Sequence, residues 1–229
     1  MHVDDLSAFL GFYSRPMVDS NYIYTGFGQP DPPHQPLYLE ILLRYLKSER
    51  TICRVLDAGC GDGNFTASLA QAGFEMCGID LSSQGIAKAK ERYPQCRFFE
   101  GSVSEDLASA CGVAAFDAIV AIEVIEHLYS PRGFVNACKA SLRPGGLLIV
   151  TTPYWGYLKN VMLAVTNRMD RALTSLWEGG HIKHWSFRTL QKLLTEQGFE
   201  FVAFHGAGRR IPYLWNGMVM VVRKPLTSS

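Results

Sequence analysis

Two clusters of residues in this chain are suited to holding a cofactor. The first is the stretch LDAGCGDGNF, residues 56–65, in which Asp57 precedes three closely spaced glycines. Glycines at a strand-to-helix turn let a ligand approach the backbone, and the following helix N-terminus offers unpaired N–H groups. The second contains Asp80, which ends the next apolar segment. It lies about 20 residues after the glycine turn, the spacing at which an acid accepts two ribose hydroxyls in nucleotide-binding folds. Together the clusters predict a site for a cofactor that contains ribose.

The residues of the glycine turn distinguish three classes of cofactor. A triphosphate site needs Lys followed by Ser or Thr after the last glycine, whereas Asn-Phe follows here. A dinucleotide site needs G-x-G-x-x-G, whereas this turn is G-C-G-D-G, and the charge of Asp62 would repel a pyrophosphate. Together with Asp57, this acid favours a cofactor with a cationic amino group. The role of Asp57 stays open, because this acid could instead tie the turn together. Cys60 also has two interpretations: it is a small residue that fits a tight turn, or a reactive thiol.

Alternating strand and helix signals surround these residues. Five strands are predicted through the central part of the chain and two at its end: Arg54–Ala58, Phe74–Asp80, Arg97–Glu100, Phe116–Ile122, Leu147–Thr152, Phe199–His205 and Gly217–Arg223. Predicted helices begin at Pro36, Asn64, Ser82, Ser130 and Ser186, and RPGG (143–146) ends the fourth. Such alternation requires parallel pairing through right-handed crossovers. We therefore predict an α/β fold with a Rossmann-like, doubly wound, seven-stranded sheet, mostly parallel with an antiparallel C-terminal edge strand and helices on both faces.

The bulk properties predict a single domain over residues 1–229. Its parts are an N-terminal arm or lid (1–34), a cofactor-binding core (35–153), an insertion over an acceptor pocket (154–185), and a C-terminal helix and strands (186–229). A formal net charge of +1 favours no nucleic-acid partner. Six scattered cysteines predict reduced thiols and a cytoplasmic location. Without an apolar run of about 20 residues, integral membrane association is not expected. A monomer and a homodimer are both compatible with the sequence.

Several segments together resemble the class I S-adenosylmethionine-dependent methyltransferases. They are VLDAGCGDG, the GID that ends at Asp80, FDAIVAIEVIEHL and LRPGGLLIVTTP, and they cover roughly Val55 to Pro153. The resemblance implies S-adenosyl-L-methionine as the cofactor and S-adenosyl-L-homocysteine as its product. It implies that Asp80 accepts the ribose hydroxyls, that Leu81 packs on adenine, and that Ser102 stands where many members have an adenine-side Asp. The full set of cofactor-binding residues predicted on this basis is Asp57, Gly59, Cys60, Gly61, Asp80, Leu81, Ser102, Val103 and Ile122.

The acceptor is expected beyond the carboxyl ends of the fourth and fifth strands, where ligands bind in such sheets. Methyl transfer from a sulfonium is an in-line displacement, so the protein mainly aligns the acceptor and excludes water. His127 is predicted as a base that takes a proton from a hydroxyl, and His181 is the alternative base. His127 could instead position the substrate or shape the cofactor pocket. GHIKHWS (180–186) resembles an element of small-molecule and saccharide-pathway methyltransferases beside the acceptor site. The predicted substrate-binding residues are Glu123, Tyr154, Trp155 and His184.

The segment EVIEH also raises the question of a metal. It resembles the ubiquinone-biosynthesis O-methyltransferase group, in which a Glu-x-x-Glu-His pattern has been linked to a divalent metal. Glu123, Glu126 and His127 would lie on one turn of a helix and could converge on a cation. The same string occurs in class I methyltransferases that need no metal. We therefore predict that neither EVIEH nor the pair His181 and His184 binds a metal. A divalent metal at EVIEH is kept as the alternative.

The segment Leu158–Met169 raises the hypothesis of peripheral contact with a membrane. Its apolar stripe is flanked by Lys159, Arg168 and Arg171, a pattern typical of an interfacial helix. We expect instead a lid helix that packs on the core or on a second subunit, and keep the membrane contact as the alternative.

These features predict an S-adenosylmethionine-dependent methyltransferase whose small-molecule acceptor carries a hydroxyl, on a metabolite or a saccharide. Methylation of nitrogen or carbon, on a small or lipid-linked metabolite, is the first alternative. A nicotinamide-dependent oxidoreductase and a non-catalytic cofactor-binding module are the others. A nucleic-acid methyltransferase is disfavoured because the chain lacks a basic footprint.

Overall fold

The computed structural model describes residues 35–226 except 174 and 178, so the predicted arm of residues 1–34 lies outside the described residues. Within them, one sheet contains β1 (Arg54–Ala58), β2 (Glu75–Asp80), β3 (Arg97–Glu100), β4 (Phe116–Ile122), β5 (Leu142–Pro153), β6 (Glu200–Ala207) and β7 (Gly217–Arg223). The strand order is β3-β2-β1-β4-β5-β7-β6. β7 is antiparallel to both β5 and β6, and the other pairs are parallel. The predicted class is confirmed, and the antiparallel strand lies one place inside the edge.

The helices follow the strands as the alternation predicts. They are α1 (Gln35–Ser48), α2 (Asn64–Gln71), α3 (Ser83–Arg92), α4 (Leu107–Ala110), α5 (Pro131–Ser141), α6 (Tyr157–Val165), α7 (Met169–Leu173) and α8 (Phe187–Glu196). Three predicted serine caps are present, since Ser82, Ser130 and Ser186 each accept a backbone N–H from the first turn of α3, α5 and α8. These caps satisfy donors that would otherwise lack a partner, and they set where each helix begins.

Apolar side chains cover both faces of the sheet. On one face, Leu56 and Phe116 pack with Phe134 of α5 and Leu190 of α8. On the other face lie the residues Val55, Ile149, Leu42 of α1, Leu69 of α2 and Ile86 of α3. Burial of one such side chain stabilises the fold by about 1.5–3 kcal/mol. Because both faces are covered, the central strands are continuous apolar runs without polar alternation.

The helix α5 ends at Ser141, just ahead of RPGG as predicted, but β5 begins at Leu142, five positions before the predicted Leu147, so RPGG lies inside the strand. The register shifts there, from Leu142 opposite Phe116 to Leu147 opposite Ala118. Gly145 adopts a left-handed backbone (φ 76°) that lets the chain bulge, and its N–H donates to the carbonyl of Lys224. The pairing with the last strand therefore extends β5 through a sequence that is typical of a turn.

Candidate functional site

The glycine turn joins β1 to α2 at the carboxyl edge of the sheet. Its three glycines have left-handed backbones: Gly59 (φ 83°), Gly61 (φ 55°) and Gly63 (φ 84°). The N–H groups of Gly59 and Cys60 donate to the Ile79 carbonyl of β2, at 2.8 and 3.1 Å. A Cβ on Gly59 would overlap the side chain of Val124. This position therefore requires glycine both for its backbone conformation and for its close packing.

Asp80 connects the glycine turn to the start of α3. One carboxylate oxygen accepts the Gly61 N–H at 2.9 Å, and the other accepts the Ser82 N–H at 2.8 Å. Burial raises the pKa of Asp80, while these two bonds oppose that rise. Each carboxylate oxygen can accept a second hydrogen bond, so the group can still take ligand hydroxyls. Leu81 follows Asp80 in the chain and is 45% exposed. Its side chain is therefore free to pack on a ligand.

Asp57 is buried and holds the turn from below. It is 1% exposed, and the Thr66 hydroxyl of α2 donates to it at 2.7 Å. Burial raises its pKa to about 7. This contact supports the tying role that the sequence left open, and the role of Asp57 toward a cofactor stays a prediction. The Cys60 thiol is also buried, and burial together with Asp57 and Asp80 raises its pKa well above the ordinary value. The alternative of a reactive thiol is therefore wrong.

Asp62 carries a compensated charge. Its carboxylate lies 3.0 Å from the Arg92 guanidinium of α3. The argument that a free Asp62 charge repels phosphate therefore does not hold. The case against a dinucleotide site rests on the glycine spacing alone.

The other predicted cofactor residues lie at the same edge of the sheet. Ser102, after β3, accepts the Ser104 N–H at 3.2 Å, and its hydroxyl hydrogen can still be donated. Val103 packs against the core, and Ile122 is the last residue of β4. Because β1 to β4 are neighbours and parallel, the carboxyl ends of all four strands meet at one edge. The structure thus brings the predicted set together, and the individual roles remain predictions.

Glu123 follows β4 directly and turns the backbone there. Its backbone is left-handed (φ 55°), and its carboxylate accepts the hydroxyls of Tyr38 at 2.9 Å and Thr151 at 3.3 Å. Burial raises its pKa to about 7. A 3₁₀ helix covers only Ile125–His127, so the prediction that Glu123, Glu126 and His127 share one helical turn is wrong. Tyr38 was missed as a partner because it lies 85 positions away in α1.

His127 and His181 form a pair of neutral imidazoles. The His127 Nδ1 lies 3.0 Å from the Gly179 carbonyl, which can only accept, so Nδ1 carries the hydrogen and Nε2 keeps its lone pair. The two rings are 5.0 Å apart, and Trp177 packs edge-on against both. Burial lowers the pKa of His127, and burial with the neighbouring His127 lowers that of His181 to about 4. The insertion thus brings one predicted base against the other.

Glu126 lies beneath this pair with no exposed surface. Neither carboxyl oxygen makes a well-formed hydrogen bond among the described residues, although the side chains of Thr152 and Glu123 lie near it, and burial together with the charge of Glu123 raises its pKa well above the usual range. Its backbone carbonyl accepts the N–H groups of Ile182 and Lys183, which fixes the chain beside His181. Ligand atoms of Glu126, His127 and His181 lie within 4.8 Å of one another, so the group could hold a cation. No local pattern indicates an acid near His181, because Glu126 and His181 come from distant segments.

The predicted substrate residues form two different environments. Tyr154 is a core residue, with its ring 5.3 Å from that of Trp215, whereas Trp155 packs 4.3 Å from the His184 ring. The Lys159 ammonium donates to the Tyr154 carbonyl at 2.7 Å and lies 5.3 Å over the Trp155 ring. Burial lowers its pKa to about 8. Lys159 therefore points inward and does not flank the apolar stripe as the sequence suggested.

Comparisons with known proteins agree with this geometry. A family model described as a methyltransferase domain matches residues 34–203. A probable S-adenosylmethionine-dependent methyltransferase of Mycolicibacterium smegmatis is 31% identical over 67% of this chain and 56% of its own length. A ubiquinone biosynthesis O-methyltransferase of Haemophilus ducreyi is 33% identical over 43% of this chain and 44% of its own. The chain thus spans about half the length of the curated relatives it matches.

Solved structures show the same fold at lower identity. Magnesium protoporphyrin IX methyltransferase of Synechocystis, with bound S-adenosylhomocysteine, superposes with a TM-score of 0.63 at 16% identity, covering 83% of each chain. A TehB-like methyltransferase of Corynebacterium glutamicum gives a TM-score of 0.58 at 20% identity, over 81% of this chain and 87% of its own. The chain therefore belongs to the family of methyltransferase domains, and its fold is that of the class I S-adenosylmethionine-dependent methyltransferases.

Proposed function

We propose that this chain transfers the methyl group of S-adenosylmethionine to a hydroxyl oxygen of a small organic acceptor. The observation that carries the proposal is the oriented ring of His127 after β4, whose Nδ1 is held by the Gly179 carbonyl at 3.0 Å and whose ring lies 5.0 Å from that of His181 in the insertion. The relatives named ubiquinone biosynthesis O-methyltransferase support oxygen as the methylated atom. The proposal therefore specifies the acceptor only as a small organic molecule that carries a hydroxyl group.

The cofactor fits the residues at the ends of β1 and β2. The glycine turn has no side chains at Gly59 and Gly61, which are both partly exposed, and Asp80 can still accept two hydroxyl donors. Gly59, Gly61, Asp80 and Leu81 would hold the cofactor, with Ser102 beside its base. When bound, S-adenosylmethionine supplies an electrophilic methyl group on a sulfonium. The remaining work of the protein is to align the acceptor oxygen and exclude water.

His127 is the better placed of the two proposed bases. Its Nδ1–H is held by the Gly179 carbonyl, which orients the ring and leaves Nε2 to take the acceptor proton. The pKa of His181, near 4, makes that residue a weak base at neutral pH. His181 then positions His127 or the acceptor through the ring contact at 5.0 Å.

The insertion of residues 154–185 forms the acceptor side of the same domain in this proposal. It contributes Trp177 and His181 to the surroundings of His127, and the Ile182 and Lys183 N–H groups anchor it to Glu126. An indole and two imidazoles suit an organic acceptor with an apolar ring or chain. These contacts between core and insertion favour a single functional unit over two separable domains.

Product analysis by mass spectrometry tests this proposal. The full chain is incubated with S-adenosylmethionine and with matched phenols, catechols and saccharides, each paired with its methyl ether and with an amine analogue. Methylation of the hydroxyl compounds, absent from the ethers, is the expected result. Methylation of only the amines would reassign the acceptor atom to nitrogen. Cofactor binding without methylation of any compound would favour a non-catalytic module.

A further inference from the structure

Helix α6 presents apolar side chains to solvent along its length. Tyr157, Val161 and Val165 repeat every fourth residue and are 84%, 38% and 76% exposed, and Leu158 and Met162 beside them are 44% and 41% exposed. No described residue of this helix is buried. The sequence predicts a lid that packs on the core or on a second subunit, and the exposure of the helix argues against packing on the core. A stripe of this size is unusual on a surface that faces only water.

The loop of residues 208–216 adds a second apolar element next to α6. Ile211 is 60% and Tyr213 is 59% exposed. The loop adjoins the helix, since the Lys159 ammonium lies 3.4 Å from the Asn216 carbonyl. Burial, together with the charge of Arg209 in this loop, lowers the Lys159 pKa. The α6 stripe and these two residues are called the apolar face below.

The charges around the apolar face are mostly of one sign. Residues 157–177 and 208–216 contain five cations and a single acid, Asp170. Lys159 points inward, whereas four arginines are exposed: Arg168, Arg171, Arg209 and Arg210. Apolar side chains bordered by arginines match a surface that is apolar inside and anionic outside. A second copy of this chain would bring the same arginines together, which disfavours self-association through this face.

The apolar face continues toward the proposed acceptor side. A shallow cavity of about 270 Å³, wide open to solvent, is lined by Asp170, Arg171, Ser175, Leu176 and Trp177. Leu176 is fully exposed at its rim, and Trp177 packs on His127 and His181. A molecule anchored in a bilayer could reach the histidines from this side. No helix among the described residues is both long enough and apolar enough to cross a bilayer, so contact would be peripheral.

We propose that the apolar face docks this protein on an anionic lipid surface, with the α6 stripe entering the interface and the surrounding arginines contacting headgroup phosphates. Docking does not depend on the proposed function. Delivery of a lipid-anchored acceptor through the neighbouring cavity does rest on it.

Flotation with vesicles tests the docking. The full chain is mixed with vesicles of phosphatidylcholine alone or with half phosphatidylglycerol, and binding is measured over a range of lipid concentrations. The wild type is expected to float with the anionic vesicles and to bind them less tightly at high salt. Arg168→Ala should weaken binding about fivefold, the effect of one arginine near such a surface. The double variant Tyr157→Glu with Val165→Glu should weaken it by more than about tenfold.

A matched control is Leu226→Glu, because Leu226 is 78% exposed near Gly145, at the opposite end of the sheet. It should float like the wild type. The proposal is overturned if the wild type does not bind anionic vesicles, or if the double variant and the control bind equally. It is also overturned if light scattering finds a dimer that the double variant dissociates, since a second copy would then occupy the face. Binding of S-adenosylhomocysteine, measured on the same samples, separates failure of docking from failure of the proposed function.

Discussion

Replacement of Asp80 by Asn tests the proposed ribose contact and the architecture of the glycine turn together. The carboxylate accepts one N–H from Gly61 and one from Ser82, and an amide can replace only one of the two oxygens. A hydrogen bond to a charged group contributes about 1.5–3 kcal/mol. Loss of one such bond to a ribose hydroxyl should weaken binding of S-adenosylhomocysteine roughly 10- to 150-fold. Stability should fall as well, because one backbone N–H faces an amide NH₂.

The assay is isothermal titration calorimetry with S-adenosylhomocysteine near neutral pH, together with urea unfolding of each variant. Asp62→Asn is the matched control, because Asp62 lies in the same turn but pairs with Arg92 at a partly exposed site. Such a pair contributes at most about 1 kcal/mol. An affinity for Asp80→Asn within about twofold of the wild type, or equal losses in both variants, would refute the reasoning.

Three further predictions follow from the site. His127→Asn should lower kcat by about 10²–10⁴ while leaving S-adenosylhomocysteine affinity unchanged, whereas His184→Asn should change kcat far less. Relative to Asp57→Asn, the wild type should lose a few kcal/mol of unfolding free energy as pH rises from about 4 through 7. The buried acid keeps its proton to about pH 7 in the folded chain, against 3.8 in the unfolded chain. Gly59→Ala should destabilise more than Gly73→Ala in urea unfolding, since both glycines have positive φ but nothing lies within 4 Å of a Cβ on Gly73.

Each of these predictions has a contrary outcome. Equal kcat for His127→Asn and the wild type would assign the proton transfer elsewhere, and a parallel loss of cofactor affinity would indicate a role in the cofactor pocket. A difference in stability that grows with rising pH would show that Asp57 is ionised in the folded chain. Equal costs for the two glycine variants would mean that the Val124 contact carries no energy.

Local patterns predicted the central fold well. The bounds of β1, β3, β4 and β7 match the sequence prediction, because each has an apolar centre with polar or turn residues beside it. The serine caps were equally visible, since a serine before a helical stripe satisfies local backbone donors. Asp80 and the glycine turn could also be placed, because strand ends and parallel pairing bring them to one edge of the sheet.

Contacts between distant segments could not be predicted in the same way. Nothing near Glu123 indicates that Tyr38 bonds to it, and the left-handed Glu123 breaks the helical turn that its spacing with His127 suggests. The pairing of His181 with Glu126 depends on how the insertion folds back over β4 and β5. The pattern of an interfacial helix predicts Lys159 as a flanking charge, whereas the carbonyls of Tyr154 after β5 and Asn216 before β7 hold it inward.

A parallel calorimetric titration with S-adenosylhomocysteine and with NADH tests the central claim most directly. The account predicts saturable binding of S-adenosylhomocysteine, weakened by Asp80→Asn, and no binding of NADH. Saturable binding of NADH, or no binding of S-adenosylhomocysteine to the folded wild type, would contradict it.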